Sequence, residues 1–366
     1  MKRREFLAKL MRYGLSAGAV SVLPVKRLFA QDFNPQITIP IIDPHAHMPG
    51  TLSAPQEGYT FDAIRSAKLC ATTMAVIGDN KTVVGADSTY LKAKEGINTV
   101  RQWETEKIVK IVRRPSDIPL QHSASGPIPV ILAIEGGDAI GTSLVRLNEF
   151  YSLGVRMITL VHGTVNQSGD NEIGKDMRRY PSNVDDGGLS DFGYQVVRRM
   201  NRIGMIVDVS HASTQTLLDV SSCTRAPIID SHTSMLPPEV SIRQAGRQRL
   251  YSEAEAIVET GGIVCTYPLN DPTCNRVSLN AWVAEVEEFK SHFGMRHIGL
   301  GTDSGGGVPK IPEWTGIGSV NDLMAAMRSG GLSALEISAF MGLNFLRVFS
   351  RAHAIGQVLR FLNDRF

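Results

Sequence analysis

The feature that most constrains the fold of this chain is a series of strand-like apolar runs that end in side chains able to bind metal or to transfer protons. Seven such runs stand out, and an eighth, Ala71–Asp79, fits between the first and the second. The seven are Ile37–Asp43, Ile128–Glu135, Val155–His162, Met205–His211, Pro227–His232, Gly262–Tyr267 and Ile298–Asp303. A (β/α)8 barrel builds its active site at the carboxyl ends of eight parallel strands. The series therefore predicts an α/β fold, a (β/α)8 TIM-type barrel of the metal-dependent hydrolase kind.

The ends of these runs carry imidazole and carboxylate groups. His45 and His47 follow the first run, and residues two apart on an extended strand face the same side. A single histidine at the end of a buried strand is more often a core or loop residue than a ligand. Here Glu135, His211 and His232 end other strands of the same predicted barrel, and this combination suits zinc or a similar divalent ion. We therefore expect a metal site at this end of the barrel.

The composition is that of one globular enzyme domain. The chain has 366 residues, 43% of them hydrophobic, and 34 glycines. This length suits a single barrel, and no internal linker or low-complexity tract divides it. We therefore expect one metallohydrolase domain over residues 31–366.

The first 30 residues have the pattern of an export signal. Paired arginines, Arg3 and Arg4, precede an apolar stretch, Tyr13–Leu23, and a small residue, Ala30, follows. This order resembles a twin-arginine signal peptide, although an ordinary N-terminal helix is the alternative. We expect cleavage near Ala30, export by the twin-arginine machinery and a periplasmic location.

Removal of this segment would change the charge of the protein. It contains seven basic residues and one acidic residue, so cleavage would change the formal net charge from +2 to −4. Because the basic excess belongs to the signal, the sequence argues against nucleic acid as a partner.

The four cysteines do not form a paired metal motif. Cys265 and Cys274 are close enough in sequence to pair in an oxidising compartment, but spacing alone does not establish a disulfide. We favour free thiols for these two and for Cys70 and Cys223.

Helices between the strands follow from apolar periodicity and from capping residues. One begins near Ser190 or Asp191 and ends at Gly204. The preceding polar segment, Gly163–Gly188, is long enough to be a loop over the site. Two further helices are predicted, at Ala281–His292 before the last strand and at Ser333–Ala352, where the tail is expected to close the outer layer of the barrel.

Several longer segments together resemble the membrane dipeptidase (renal dipeptidase) family, peptidase family M19, of the amidohydrolase superfamily. The resemblance extends from about Ile42 to Phe349. The segments that carry it are Glu135-Gly136-Gly137, Gly154-Val155-Arg156, Thr159-Leu160-Val161-His162, Gly188-Leu189-Ser190, Phe192-Gly193, Met200 to Met205, Val207 to His211, Ser231 to Ser234, Gly299 to Asp303 and Gly342 to Arg347.

The resemblance implies a zinc-dependent dipeptidase with two zinc ions per chain and a metal-bridging hydroxide that attacks the peptide bond. His45 would bind the first metal, Glu135 would bridge both, and His211 and His232 would bind the second. His47 occupies the position of the second residue of the family's first motif. The substrate implied is a small dipeptide or a related amide.

The same resemblance implies the roles of the catalytic and substrate-binding residues. His162 would face the substrate and support the tetrahedral intermediate, and Asp303 would handle the proton of the water or of the leaving amine. An arginine would hold the substrate carboxylate, with Arg243 slightly preferred over Arg247 and Arg249. We also expect carboxylates to orient the ligand histidines, and the candidates are Asp43, Asp208 and Asp230.

The chain departs from the family in two places near the substrate. The family's first motif is His-x-Asp, whereas this chain has His45-Ala46-His47, and the loop that begins at Gly163 lacks an expected tryptophan. Another amide, such as an N-acyl-D-amino acid, is therefore an alternative substrate. An inactive exported binding or scaffold protein is an alternative of a different class, which the complete set of site residues opposes. The sequence leaves the oligomeric state open, with a homodimer as one alternative.

Overall fold

The computed structural model describes residues 39–50, 58–79, 86–163, 173–174, 188–241, 248–272 and 276–363. Within these residues nine strands form one parallel sheet. The strands are β1 (Ile42–Asp43), β2 (Ala71–Ile77), β3 (Val109–Ile111), β4 (Ile128–Glu135), β5 (Met157–Thr159), β6 (Ile206–Asp208), β7 (Ile229–Thr233), β8 (Ile263–Thr266) and β9 (Ile298–Leu300). The helices are α1 (Phe61–Ser66), α2 (Ala86–Thr105), α3 (Leu144–Leu153), α4 (Asp191–Ile203), α5 (Thr214–Cys223), α6 (Tyr251–Glu259), α7 (Leu279–Phe293), α8 (Val320–Ser329), α9 (Ala334–Ser338) and α10 (Asn344–Asn363).

Eight of these strands form the ring of a (β/α)8 barrel. Their order is β1-β2-β4-β5-β6-β7-β8-β9, with each pair parallel. The ring closes just beyond β1 and β9, where the Asp303 amide donates to the His45 carbonyl at 2.9 Å and the His47 amide donates to the Ser304 carbonyl at 2.8 Å. Seven of the eight predicted runs contain a whole strand of the ring, and the run Pro227–His232 contains all of β7 except its last residue, Thr233, so the predicted fold class is confirmed.

The remaining strand, β3, was not predicted. It pairs with the first part of β4, from Ile128 to Val130, whereas β5 pairs with the last part, from Ala133 to Glu135. Val130 also pairs with β2, so β3 and β5 share the opposite edge of β4. A strand of three residues with an exposed lysine at its centre is too short to give a periodic signal in the sequence.

Helix α4 follows the predicted capping. The Ser190 hydroxyl accepts a hydrogen bond from the Gly193 amide at 2.9 Å, and Gly204 ends the helix in the left-handed conformation at φ +79°. Its buried face consists of Gly193, Val196, Val197, Met200, Asn201 and Ile203. Ser190 therefore acts as the N-cap, which the sequence had left open between two residues.

The C-terminal helix closes one end of the barrel. Phe345, Val348, Phe349 and Ala352 of α10 pack in one apolar cluster with the residues that fill the barrel interior. These interior residues are Ile42, Ala71, Ala75, Ile131, Ala133, Met157, Ile206, Ile229, Ile263 and Cys265, most of them at the amino ends of the strands. The tail was expected to close the outer layer of the barrel. Instead, these four apolar side chains of α10 pack against the interior residues. The opposite end of the barrel is thereby left for the site.

Several predicted features lie outside the described residues. These are the export signal, most of the loop Gly163–Gly188, Arg243, Arg247 and Cys274. Among the described residues, no helix is both long enough and apolar enough to span a membrane.

Candidate metal centre

The site is built around the carboxylate of Glu135, the last residue of β4. This carboxylate is buried, and five histidine Nε2 atoms lie between 3.1 and 3.9 Å from one of its oxygens. The histidines are His45, His47, His162, His211 and His232. Four of them follow ring strands and His232 lies in β7, all at one end of the barrel, so residues distant in sequence meet at a single point.

These donor atoms fall into three overlapping groups, each of which could hold a metal ion. One group is His45, Glu135 and His232, with all ligand atoms within 4.8 Å of one another. His45 also belongs to a second group with His47 and Asp303, and Glu135 to a third with His162 and His211. The three groups together contain seven residues, and His45 and Glu135 each belong to two of the groups. The site therefore has enough donors for more than one ion.

Two of the site residues adopt a backbone conformation that is unusual for side chains other than glycine. His211 has φ +66° and Asp303 has φ +49°, both in the left-handed region. Such conformations cost of order 1–3 kcal/mol and persist where the surrounding structure enforces them. Here they occur where the chain leaves a ring strand, and both side chains reach the cluster.

Unpaired buried atoms support the fit of this cluster to a divalent cation. Among the described residues, His45 Nε2 and Glu135 Oε2 are buried and have no hydrogen-bond partner. Buried polar atoms are rarely left unpaired, because their desolvation is then uncompensated. Both atoms point into the cluster. Imidazole nitrogen and carboxylate oxygen are the donors that zinc and similar ions bind.

The charge states of His45, Glu135 and Asp303 also suit metal binding. Burial lowers the pKa of His45 to about 4, which keeps its ring neutral and able to act as a ligand. Burial alone would raise the pKa of Glu135, but the nearby histidines hold it well below its usual value. The pKa of Asp303 is likewise held well below its usual value, against the effect of burial, by the His47 hydrogen bond and by the charges of His232 and Lys310.

His47 is the residue that departs from the family motif. Its Nε2 lies 3.2 Å from Asp303 Oδ1 and 3.6 Å from Glu135 Oε2. Burial opposes protonation of this ring, but the Asp303 hydrogen bond and the Glu135 charge outweigh it and raise its pKa. The imidazole therefore reaches the cluster from the position where the family has a carboxylate.

A serine hydroxyl connects two of the histidines to a buried carboxylate. Ser231 Oγ donates to Asp208 Oδ2 at 2.7 Å and lies 3.2 Å from His45 Nδ1 and 3.0 Å from His232 Nδ1. A hydroxyl has one proton and two lone pairs, so once it donates to Asp208 it can accept from both Nδ1–H groups. With both of these protons on Nδ1, the Nε2 atoms of the two rings, 3.5 and 3.6 Å from Glu135 Oε1, would be free to bind a metal ion.

The three carboxylates expected to orient the histidines lie one step further out. Asp208 acts through Ser231, and Asp43 accepts hydrogen bonds from Thr302 and from the backbone amide of His45. Asp230 accepts hydrogen bonds from Ser210 and from Arg249. Sequence reasoning did not single out Ser231, because a hydroxyl within a strand is a common and unspecific signal.

His162 has a different partner, which sequence reasoning did not assign. Its Nδ1 lies 2.9 Å from Asp79 Oδ1, and its ring stands edge-on to the His211 ring with centroids 4.6 Å apart. Asp79 ends the predicted run Ala71–Asp79. Its position just after a strand was the one sequence feature that could have marked it as a site residue. His162 is 19% exposed, the most open of the five histidines of the cluster.

A cavity of about 770 Å³ opens beside the cluster. Its floor includes His47, Glu135, His162, His232 and Asp303, and one wall is formed by α2, which contributes Lys92, Glu95, Gly96, Thr99 and Trp103. A volume of this size is typical of a small-molecule site. The cavity therefore gives a small substrate access to the cluster.

Arg249, one of the three arginines considered for the substrate carboxylate, lies in the protein interior. Its side chain is fully buried, and its guanidinium donates to Asp230 Oδ2 and to the carbonyls of Val209 and Ala212. Glu253 lies 3.7 Å away. These contacts give Arg249 a structural role, and the preferred candidate, Arg243, lies outside the described residues.

The described cysteines are not part of the cluster. Cys70 and Cys265 are buried, Cys223 is partly exposed, and all three are free thiols. This agrees with the expectation of free thiols for these three residues.

Comparison with known proteins identifies the family. The model of the family "Membrane dipeptidase (Peptidase family M19)" matches residues 38–361. An uncharacterized dipeptidase of Schizosaccharomyces pombe is 32% identical over 259 residues, which are 68% of this chain and 58% of that protein. Dipeptidase verJ of Clonostachys rogersoniana is 29% identical over 237 residues, which are 64% of this chain and 58% of that protein. The matched regions thus span less than two thirds of these relatives.

Solved structures share the fold. A metallopeptidase described as the dipeptidase AC of family M19 superposes with a TM-score of 0.75 at 20% identity, covering 87% of this chain and 99% of that one. A Rhodobacter sphaeroides metallopeptidase liganded with a phosphinate mimic of the dipeptide L-Ala-D-Ala has a TM-score of 0.73 at 19% identity, covering 86% and 99%. The family model, the barrel and its cluster of donors agree, and the chain belongs to the membrane dipeptidase family, peptidase family M19.

Proposed function

We propose that this protein is a zinc-dependent dipeptidase that hydrolyses the peptide bond of small dipeptides. The observation that carries the proposal is the convergence of five histidine Nε2 atoms on the buried Glu135 carboxylate, at the open end of a barrel. Family membership supports the reaction class, and the cavity beside the cluster supports a small substrate.

Two zinc ions would be held by residues that the structure brings together. His45, His47 and Asp303 form one donor group, and Glu135 with His211 and His232 provides the donors of the other, with Glu135 between them. When bound, a pair of divalent ions polarises the scissile carbonyl and lowers the pKa of water so that hydroxide is available near neutral pH. The neutral ring of His45 and the ionised carboxylate of Glu135 are the forms that such ions require.

Asp303 would transfer the proton during hydrolysis. Its carboxylate is held ionised beside His47, so it can accept a proton from the attacking water and pass it to the leaving nitrogen. His162 lines the cavity and would face the carbonyl of the scissile bond, where charge develops in the transition state.

Recognition of the substrate carboxylate is assigned to Arg243 in this proposal. Arg249 is engaged in the interior, which removes one of the three candidates from consideration. The dipeptide mimic bound by the Rhodobacter sphaeroides relative supports a dipeptide as the substrate. The His47 departure lies beside the substrate, so an N-acyl-D-amino acid remains the second candidate.

The experiment that tests the proposal combines metal content with a substrate panel. Protein purified without chelator is assayed for metal per chain and for hydrolysis of two panels, one of L-X-D-Ala and L-X-L-Ala dipeptides and one of N-acyl-D-amino acids. About two zinc ions per chain with dipeptide turnover is the expected result. Two zinc ions with turnover of N-acyl-D-amino acids alone would favour the second substrate. Absence of turnover on both panels would overturn the proposal.

We also propose that the protein is exported by the twin-arginine machinery and that its signal peptide is cleaved near Ala30. The sequence alone supports this step, through Arg3 and Arg4 and the apolar stretch that follows. Expression in a bacterium with that machinery should give periplasmic protein whose N-terminus follows Ala30. Replacing Arg3 and Arg4 by lysine should retain the protein in the cytoplasm, and unchanged export of this variant would overturn the assignment.

A further inference from the structure

We propose that Asp79 is a positioning residue that orients His162 and keeps a proton on its Nδ1. The proposal rests on the dipeptidase function for its kinetic consequences, but not for its geometry. Asp79 lies just beyond β2 and His162 just beyond β5, and the two are 83 residues apart in sequence. Their contact exists only in the folded barrel.

Burial is the first argument. Asp79 is 3% exposed, its Oδ1 lies 2.9 Å from His162 Nδ1, and its Oδ2 has no hydrogen-bond partner among the described residues. A buried carboxylate destabilises the fold unless it is paired, so the hydrogen bond with His162 offsets part of the cost of burying Asp79. Asp79 belongs to none of the donor groups that could hold a metal ion in the described part of the chain. Its contact is with His162.

The backbone places Asp79 at this point through two glycines. The Gly78 amide donates to the Glu135 carbonyl at 2.7 Å, and a Cβ at Gly78 would lie 2.1 Å from the Gly136 carbonyl oxygen. Gly136 has φ +105°, and a Cβ there would lie 2.9 Å from the Asp79 amide nitrogen. The ends of β2 and β4 therefore approach more closely than side chains allow. This approach fixes Asp79 beside the strand that carries Glu135.

The chemistry of the contact determines the tautomer of His162. A carboxylate oxygen accepts hydrogen bonds, so the 2.9 Å contact favours the tautomer of His162 that carries its proton on Nδ1. The other nitrogen, Nε2, then faces the cluster, 3.9 Å from Glu135 Oε1. The Asp79 contact at Nδ1 thus limits rotation of the ring from one side. The edge-on His211 ring limits rotation from another side.

A kinetic experiment separates positioning from substrate binding. In zinc-loaded enzyme, Asp79→Ala should lower kcat by about 10- to 100-fold with little change in KM, since orientation of His162 matters most in the transition state. Asp79→Asn, whose Oδ1 can still accept from Nδ1–H, should retain more activity than Asp79→Ala. Asp62→Asn, which changes a carboxylate 97% exposed on α1, is the matched control and should behave like wild type.

A double-mutant cycle then tests the partner. In a His162→Ala background, Asp79→Ala should cause no further loss of kcat, because the residue it positions is absent. A further loss of similar size would show that Asp79 acts through another group and would overturn the proposal. Loss of zinc or of thermal stability in both Asp79 variants, with kcat per zinc-loaded chain unchanged, would also overturn it in favour of a structural role.

A spectroscopic readout keeps the test independent of activity. In zinc-loaded protein with ¹⁵N-labelled histidine, the ring signals of His162, identified by their loss in His162→Ala, should report a proton on Nδ1. Asp79→Ala should shift these signals or make the tautomers interconvert. An unchanged Nδ1–H signature would overturn the proposal. Because this measurement needs no substrate, failure of the dipeptidase assay would contradict the proposed function and leave the Asp79 assignment to be decided here.

Discussion

At the scale of single residues, Glu135 has the greatest influence on the site. Its carboxylate lies within 3.9 Å of all five histidines of the cluster, and its negative charge offsets the cost of gathering so many nitrogen donors around bound cations. A neutral amide of the same shape can keep the contacts of one oxygen but not the charge.

Replacement of Glu135 by glutamine is therefore expected to abolish most function. Turnover should fall about 100-fold or more and zinc per chain should decrease, because the shared ligand is lost. Metal analysis and steady-state kinetics on the same preparation check both effects. Glu95→Gln, which alters an exposed carboxylate in the cavity wall, should keep its zinc. Full activity of Glu135→Gln would refute the bridging assignment.

Arg249 is important at the same scale for a different reason. Its guanidinium is buried between Asp230 and two backbone carbonyls, so its removal leaves a buried carboxylate without its charged partner. Arg249→Ala should lower the free energy of unfolding by about 3–5 kcal/mol. Urea denaturation measures this change, with Arg351→Ala, on an exposed position of α10, as the control near zero. A small effect at both positions would contradict the structural role of Arg249.

At the scale of elements, local capping fixes where the barrel helices begin and end. Helix α4 begins at the Ser190 cap and ends at a left-handed Gly204, and both signals are present in the sequence itself. The helix precedes β6, whose end leads to His211, so its boundaries help to set the register of a strand that carries a ligand.

The cap can be tested by deletion of one hydroxyl. Ser190→Ala should lower the free energy of unfolding by about 1 kcal/mol, because the Gly193 amide loses its acceptor. Ser291→Ala, at an exposed position inside α7, should be neutral or slightly stabilising, since alanine favours a helix more than serine does. Denaturant titration compares the two variants. Equal effects of the two substitutions would show that the cap contributes nothing specific.

At the scale of the whole molecule, the two ends of the barrel have different roles. Helix α10 packs against the interior residues near the amino ends of the strands, whereas the polar cluster occupies the carboxyl ends. Apolar packing closes one end and the polar cluster occupies the other, which is the usual division in this fold. Within the described part of the chain, the end with the polar cluster also holds the buried ligand atoms His45 Nε2 and Glu135 Oε2, which have no hydrogen-bond partner.

Metal removal should therefore destabilise the entire domain. A bound ion stabilises the folded state by about 2.7 kcal/mol when its concentration is about 100 times Kd. At about 2–4 °C per kcal/mol for a large domain, chelation should lower Tm by roughly 5 °C or more. Calorimetry before and after chelation, with zinc restored at the end, checks the change. A Tm that does not move after complete removal of metal would contradict the assignment of the cluster to metal binding.

Much of this architecture follows from local patterns in the chain. The eight ring strands, the capped helix α4 and the residue types at the strand ends are all readable from periodicity and turn chemistry, because each depends on neighbours within a few residues. The donors His45, Glu135, His211 and His232 were expected together on these grounds, and the structure brings them into one cluster. The strand β3 escaped prediction because three residues carry no period.

Other features depend on contacts between distant parts of the chain. The partnership of Asp79 with His162, the serine bridge at Ser231, the interior position of Arg249 and the packing of α10 into the end of the barrel all join segments far apart in sequence. Local patterns in the chain indicate where the eight ring strands lie and which donors stand at their ends. Which donors share a site and which charges are buried depends on the folded barrel, because closure of the ring sets those distances and no local pattern encodes them.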